Sequence, residues 1–137
     1  MDEARRRVER AREENALVLS LSNLDLTSLP YELFSLSNLQ VLYLYGNQLT
    51  SLPSEVSSWT ALQVLGLENN RLTSLPSAVE NWTTLQKLYL QGNQLTSLPR
   101  EVSNWTSLQH ICLDSSVLLP VEMVYWCSLK RMDRGMK

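Results

Sequence analysis

Three stretches of this chain, Leu39–Pro53, Leu62–Pro76 and Leu85–Pro99, read LQVLYLYGNQLTSLP, LQVLGLENNRLTSLP and LQKLYLQGNQLTSLP, and they begin 23 residues apart. A unit this short cannot bury an apolar side by itself, so its copies must stack and hide their leucines against one another. Stepping back 23 residues from Leu39, Leu42, Leu44, Leu49, Leu52 and Pro53 lands on Ala16, Leu19, Leu21, Leu26, Leu29 and Pro30, a first copy in which Leu24 replaces the asparagine of Asn47. Stepping forward gives Leu108, Ile111 and Leu113, with Ser116 at the asparagine position. One unit is therefore used five times, and the flanks before Ala16 and after Ser116 read as the two ends of a stack.

Within the unit, the alternation after the second leucine is the period-2 signature of a strand with leucine inward. Stacking places these strands about 4.8 Å apart in a parallel sheet. Asn47, Asn70 and Asn93 stand where the chain leaves each strand. An amide with two donors and an acceptor suits backbone groups that a turn leaves unpaired. On the return path Leu33, Val56, Val79 and Val102 share one position, and Leu36, Trp59, Trp82 and Trp105 another. The tryptophan slot is predicted to face the core, where each indole buries on the order of 200 Å² and its N–H needs a partner or an edge in water.

The pattern L-x-x-L-x-L-x-x-N-x-L-x-x-L-P resembles that of leucine-rich-repeat proteins over nearly all of residues 16–129. The 23-residue period and the LTSLP turn are similar to the intracellular repeats of Ras-binding scaffold proteins, of bacterial leucine-rich-repeat proteins and of Roco GTPases. The arginine-rich segment leading into LSLSNLDLTSLP resembles the start of bacterial Roco-like chains. Those chains carry a GTPase further on, whereas here there is no G-x-x-x-x-G-K-[ST] and there are only four glycines. The expected fold is an α/β leucine-rich-repeat solenoid, a curved parallel sheet of about five strands with an N-terminal capping helix. All 137 residues form one domain: 1–15 the cap, 16–118 the repeats, 119–137 a shortened last repeat and C-terminal cap.

The ends follow from charge and spacing. Ala4, Val8 and Ala11 make a thin apolar stripe at helical spacing, and five arginines interleave with acids on the other faces. Arg5–Arg7 raise an anionic partner as an option, but a solvated helix shielding the first strand accounts for the whole pattern. After Leu118 the fifth unit loses two residues, so that Pro120, Met123, Trp126 and Leu129 fall on the Pro, Val, Trp and first-Leu positions. A sixth strand would continue through Met132 to Arg134, where leucine is required. The array is expected to stop there, with SLKRMDRGMK as a cap or frayed tail whose charges discourage edge pairing.

A net charge of −2 and a pI near 5.4 give no bias towards nucleic acid. No apolar run approaches the roughly 20 residues that span a bilayer, and MDEARRRVERAREEN is too charged for a secretory signal. The chain thus reads as cytoplasmic, or as exported without a cleaved signal. Cys112 and Cys127 are expected to be reduced thiols, and two distant cysteines with one histidine are poor material for a metal site. No cofactor is implied. Asn81-Trp82-Thr83 and Asn104-Trp105-Thr106 match N-x-[ST] as by-products of repetition.

The outward columns of the strands hold the candidate binding residues. They run Val18, Val41, Val64, Lys87, His110; then Ser20, Tyr43, Gly66, Tyr89, Cys112; then Ser22, Tyr45, Glu68, Gln91, Asp114. Tyr43 and Tyr89 stand two strands apart, about 9.5 Å, so Gly66 between them is predicted to leave a notch walled by two phenols. Tyrosines offer rigid amphipathic area suited to recognition, although tyrosine and valine also simply suit a sheet. His110, Cys112 and Asp114 alternate along one strand, but about 6.8 Å separates same-face neighbours. That is too far for a direct bond unless the side chains lean together, and no oxyanion donor is evident. Catalysis is therefore not expected, and a reactive thiol is the stronger reading.

The resemblance implies a non-enzymatic module that binds a protein or peptide on its concave face, in a signalling scaffold or a bacterial effector. Val41, Tyr43, Tyr45, Val64, Gly66, Glu68, Lys87, Tyr89, Gln91, His110 and Asp114 would form the contact surface. A monomer is expected rather than a homodimer, with no nucleic-acid or membrane partner. Self-association, or a stand-alone repeat part of a Roco-like GTPase system, remains as an alternative.

Overall fold

A computed structural model describes residues 1–121 and 129–135. The continuation of the tryptophan position through Met123 and Trp126, and the second thiol, Cys127, lie outside the described residues. The chain opens with helix α1, Asp2–Glu14. Five strands follow: β1 (Val18–Ser20), β2 (Val41–Tyr43), β3 (Val64–Gly66), β4 (Lys87–Tyr89) and β5 (His110–Leu113). A sixth, β6, spans Arg131–Arg134. All pair in parallel in the order β1-β2-β3-β4-β5-β6. Short 3₁₀ turns, each entered from a proline, return the chain at Tyr31–Ser35, Ser54–Ser58, Ser77–Asn81 and Arg100–Asn104.

The register follows from the repeat. Val18 pairs Val41, Val41 pairs Val64, and Val64 pairs Lys87, each one period on. Inward leucines such as Leu42, Leu65 and Leu88 thus lie one on another and are fully buried. The asparagines tie the coils together. Asn70 Nδ2 donates to Leu44 O (3.0 Å) and Leu67 O (3.1 Å), while its Oδ1 accepts from Leu49 N–H (3.1 Å). Asn93 repeats the arrangement one coil on, and Asn47 one coil back, accepting from both Leu24 and Leu26 N–H. Each carboxamide thereby satisfies carbonyls of two successive coils, polar groups that would otherwise be orphaned in the core.

One turn position shows how tightly the coils sit. Residues Asn23, Gly46, Asn69 and Gly92, spaced by the period, all have positive φ. A side chain on Gly46 would strike Asn23 Oδ1, and one on Gly92 would strike Asn69 Oδ1. Asparagine tolerates the left-handed region, but its side chain occupies the next coil's space, so glycine must follow it.

The return side is filled by rings. Trp59, Trp82 and Trp105 are fully buried and stack at 6.2 and 6.0 Å, with Phe34 extending the stack at 5.7 Å. Trp82 Nε1 donates to Val56 O and Trp105 Nε1 to Val79 O; Trp59 Nε1 finds no acceptor among the described residues. The step between rings exceeds the roughly 4.8 Å between strands, so each coil is thicker on the return side and the sheet lines the inside of a curve.

Helix α1 lays Ala4, Val8 and Ala11 against the stack, and Arg7 Nη1 donates to Ser20 O. Arg6 and Arg7 also pair with Glu3, and Arg5 with Glu32, so this basic run is engaged locally.

At the other end the sheet runs one strand further than expected. His110 pairs Arg131 and Ile111 pairs Met132, a 21-residue step that carries the two-residue deletion. The deletion begins earlier than Leu118: Val117 is buried in place of its neighbour, and Leu118 is exposed. Strand pairing needs only backbone groups, and Met132 and Leu129 supply enough apolar contact. Arg134, in a leucine position, reaches out instead and donates to Ser115 O and Val117 O. Arg134 is exposed, so its cation meets water rather than core.

Replacing Asn70 with Ala strands the Leu49 N–H, at about 1–3 kcal/mol, while Leu44 O keeps the Asn47 amide and Leu67 O the Asn93 amide. Urea unfolding should show a loss of about 2 kcal/mol with an unchanged slope. Gly92→Ala should cost about 1–2 kcal/mol from the left-handed backbone alone, plus its clash with Asn69. Adding Asn69→Gly should recover the clash part, which a double-mutant cycle reads directly.

Candidate functional site

Among the described elements the backbones of β1–β6 neighbour only one another and, at one end, α1, so no described element lies over the outward residues of the sheet. Tyr43, Gly66 and Tyr89 are in register on β2, β3 and β4. The tyrosines are half-buried, and Tyr43 and Tyr45 meet edge to face at 6.1 Å. Gly66, however, is buried rather than an open notch. A Cβ there would lie 2.8 Å from Glu68 Oε1 and 3.3 Å from Tyr43 Cδ1. The space left by the missing side chain is taken by the Glu68 carboxylate, leaning across from two residues on, and by the phenol edge.

That posture is electrostatically costly. Glu68 Oε1 and its neighbour Gln91 Oε1 are buried with no hydrogen-bond donor among the described residues. Burial pushes the Glu68 carboxyl above the ordinary carboxylate range, and its own backbone N–H offsets this only partly. Burial likewise raises the Tyr89 phenol. Val41 and Val64 are partly covered and Lys87 is exposed.

The far end of the face differs from expectation. Asp114 was expected to point outward but is 5% exposed. Its carboxylate turns into the stack and accepts from the N–H groups of Gly92 and Asn93. It holds a coil turn whose next repeat carries Ser116 instead of asparagine, and so leaves the contact surface. The acid that does join His110 and Cys112 is Asp133 on β6, directly opposite Cys112. His110 Nε2 lies 2.8 Å from Asp133 Oδ2, and Cys112 Sγ lies 3.4 Å from His110 Nε2 and 3.7 Å from Asp133 Oδ2. The side chains lean together, unlike an undistorted strand. Arg131 Nε also reaches Asp133 Oδ2, at 3.0 Å. Tyr89 braces the imidazole edge to face at 5.6 Å.

Burial, then the Asp133 charge, pushes the Cys112 thiol up to about 11. Cys112 is thus protonated at neutral pH, which removes the basis for a reactive thiolate. The hydrogen bond from His110 holds the Asp133 carboxyl below its usual range.

Two family models match this sequence, one described as leucine-rich repeats in two copies over residues 37–81, the other as a leucine-rich repeat over residues 60–118. Together they span more than half of the chain.

The chain belongs to the leucine-rich-repeat family.

A leucine-rich-repeat protein of Leptospira interrogans has a similar structure, with a TM-score of 0.83 and 36% identity over 93% of this chain. The chain spans 33% of the length of that protein. The ectodomain of the receptor kinase SOBIR1 from Arabidopsis thaliana aligns at TM-score 0.70 and 24% identity, covering 85% of this chain and 68% of that one. Drosophila Toll, in its complex with Spatzle, aligns at 0.70 and 17%, covering 88% of this chain and 20% of that one. These last two share the fold. No curated protein sequence matches. Leucine-rich repeats are commonly protein–protein interaction modules and typically non-enzymatic. No helix among the described residues is long and apolar enough to cross a membrane.

Asp133 was missed from the sequence because β6 was expected not to form. The signal that places it was the 21-residue step from Leu108 to Leu129, which sets Asp133 opposite Cys112.

A raised folded-state pKa means that the native state holds the Glu68 proton more tightly, so stability falls as pH rises through the window above the ordinary carboxylate value. Glu68→Gln should therefore raise the thermal midpoint at pH 7 relative to the parent. The gain should vanish once the solution is acidic enough to protonate an ordinary glutamate, and paired melts at the two pH values check it.

Proposed function

We propose that this leucine-rich-repeat protein binds a protein or peptide on its concave sheet, centred on Tyr43, Gly66 and Tyr89. The observation that carries the reading is the pairing of half-buried tyrosines on this face with two acceptors, Glu68 Oε1 and Gln91 Oε1, that have no donor among the described residues. A sheet selected only to fold has no reason to keep a costly carboxylate over a glycine. A partner presenting hydrogen-bond donors beside an apolar group would relieve that cost while covering the phenols. Val41, Tyr45 and Val64 would border the contact and Lys87 would sit on its rim.

A signalling scaffold or a bacterial effector is the setting that this reading favours. The family's common role as a protein–protein interaction module supports it. Self-association is the second reading, motivated by β6 standing as the terminal strand of the sheet. Light scattering over a concentration series separates the two, since a heterologous binder stays monomeric.

Tyr43→Ala combined with Tyr89→Ala should weaken partner binding at least tenfold, about 1.4 kcal/mol, while shifting the thermal midpoint little. The test is a quantitative pull-down with the parent and double variant side by side, followed by titration of each retained protein. Equal retention by both removes the concave centre as the site.

A further inference from the structure

We propose that His110, Cys112 and Asp133 form a three-ligand metal site of the zinc class between β5 and β6, on the concave face. Their ligand atoms all lie within 4.8 Å of one another. The argument is one of size and chemistry. A tetrahedral zinc at ordinary bond lengths separates sulfur from its nitrogen or oxygen neighbour by about 3.6 Å, and nitrogen from oxygen by about 3.3 Å. The corresponding separations here are 3.4 Å for Cys112 to His110, 3.7 Å for Cys112 to Asp133 and 2.8 Å for His110 to Asp133. Only the last must widen, by about 0.5 Å to meet the tetrahedral edge, and the His110–Asp133 hydrogen bond is what an ion between them would replace.

The donor set narrows the metal. One thiolate, one imidazole and one carboxylate suit a borderline-soft ion of tetrahedral habit, and disfavour magnesium or calcium, which require oxygen ligands. The three residues are presented by the sheet itself. His110 and Cys112 are two apart on β5, and Asp133 is held opposite Cys112 by the ladder. The Tyr89 ring bracing the imidazole orients His110 from outside the set. A fourth position faces the concave groove, where water or a partner's side chain completes the shell. Coordination breaks the Cys112 S–H bond and releases that proton to solvent, with no change of oxidation state. Arg131 shares the Asp133 oxygen and opposes an added cation, but its side chain is 69% exposed and free to swing into water.

The test uses the full chain, tag-free and kept reduced. Zinc is titrated calorimetrically, and cobalt(II) is followed by absorption. One equivalent of zinc should bind, and cobalt should give the intense d–d bands of a tetrahedral site with a thiolate-to-metal charge-transfer band. Cys112→Ala should abolish that band, and His110→Ala and Asp133→Asn should each weaken zinc at least tenfold. Cys127→Ser should leave both signals intact. Zinc should also raise the thermal midpoint of the parent and not of Asp133→Asn. Absence of the charge-transfer band in the parent overturns the site without reference to any variant. So does zinc binding that Cys112→Ala leaves unchanged, or a band that follows Cys127 instead. These readouts need no protein partner, so they stand or fall apart from the proposed contact at Tyr43 and Tyr89.

Discussion

A leucine in this chain has nowhere to hide except under the next coil. Each strand contributes only three or four residues, and each of the four described returns is a single 3₁₀ turn. No coil encloses anything, so burial exists only at the junctions between coils. The asparagine carboxamides make those junctions exact in register, because Leu44 O receives both Asn47 and Asn70, and Leu67 O both Asn70 and Asn93. A slipped coil would lose its leucine contacts and these bonds together.

That constraint separates the two sides of the sheet. Inward positions of β1–β5 are leucine or isoleucine, as packing demands. Outward ones are free of it, so their identities reflect other demands. The centre gathers phenols around a glycine and an underpaired carboxylate, and the last two strands gather a histidine, a thiol and an acid. The stacked indoles on the return side widen each coil there, turning the sheet inward so that these groups converge rather than splay.

The two ends solve the same problem by different means. α1 offers an apolar stripe to the first coil and turns its charges outward, much of its arginine content being spent on Glu3, Glu9 and Glu32. β6 adds backbone pairing with a thinner apolar contribution and lets Arg134 cap the carbonyls of Ser115 and Val117.

The sequence alone determined the period, the inward leucines, the asparagine ladder, the buried tryptophans and the capping helix, because each repeats or alternates at a spacing that only one geometry satisfies. It also put Tyr43, Gly66 and Tyr89 side by side, since register follows from the period. Three things were decided in the tertiary structure. Glu68 fills the space above Gly66, which depends on which way a flexible side chain leans. Asp114 turns inward to two amide groups, because a coil lacking its asparagine leaves that turn in need of an acceptor. Asp133 joins His110 and Cys112 because backbone pairing carried β6 past a residue pattern that breaks the repeat. Periodicity speaks for what is repeated; these are places where one coil differs from the next, and there the neighbouring coil decides.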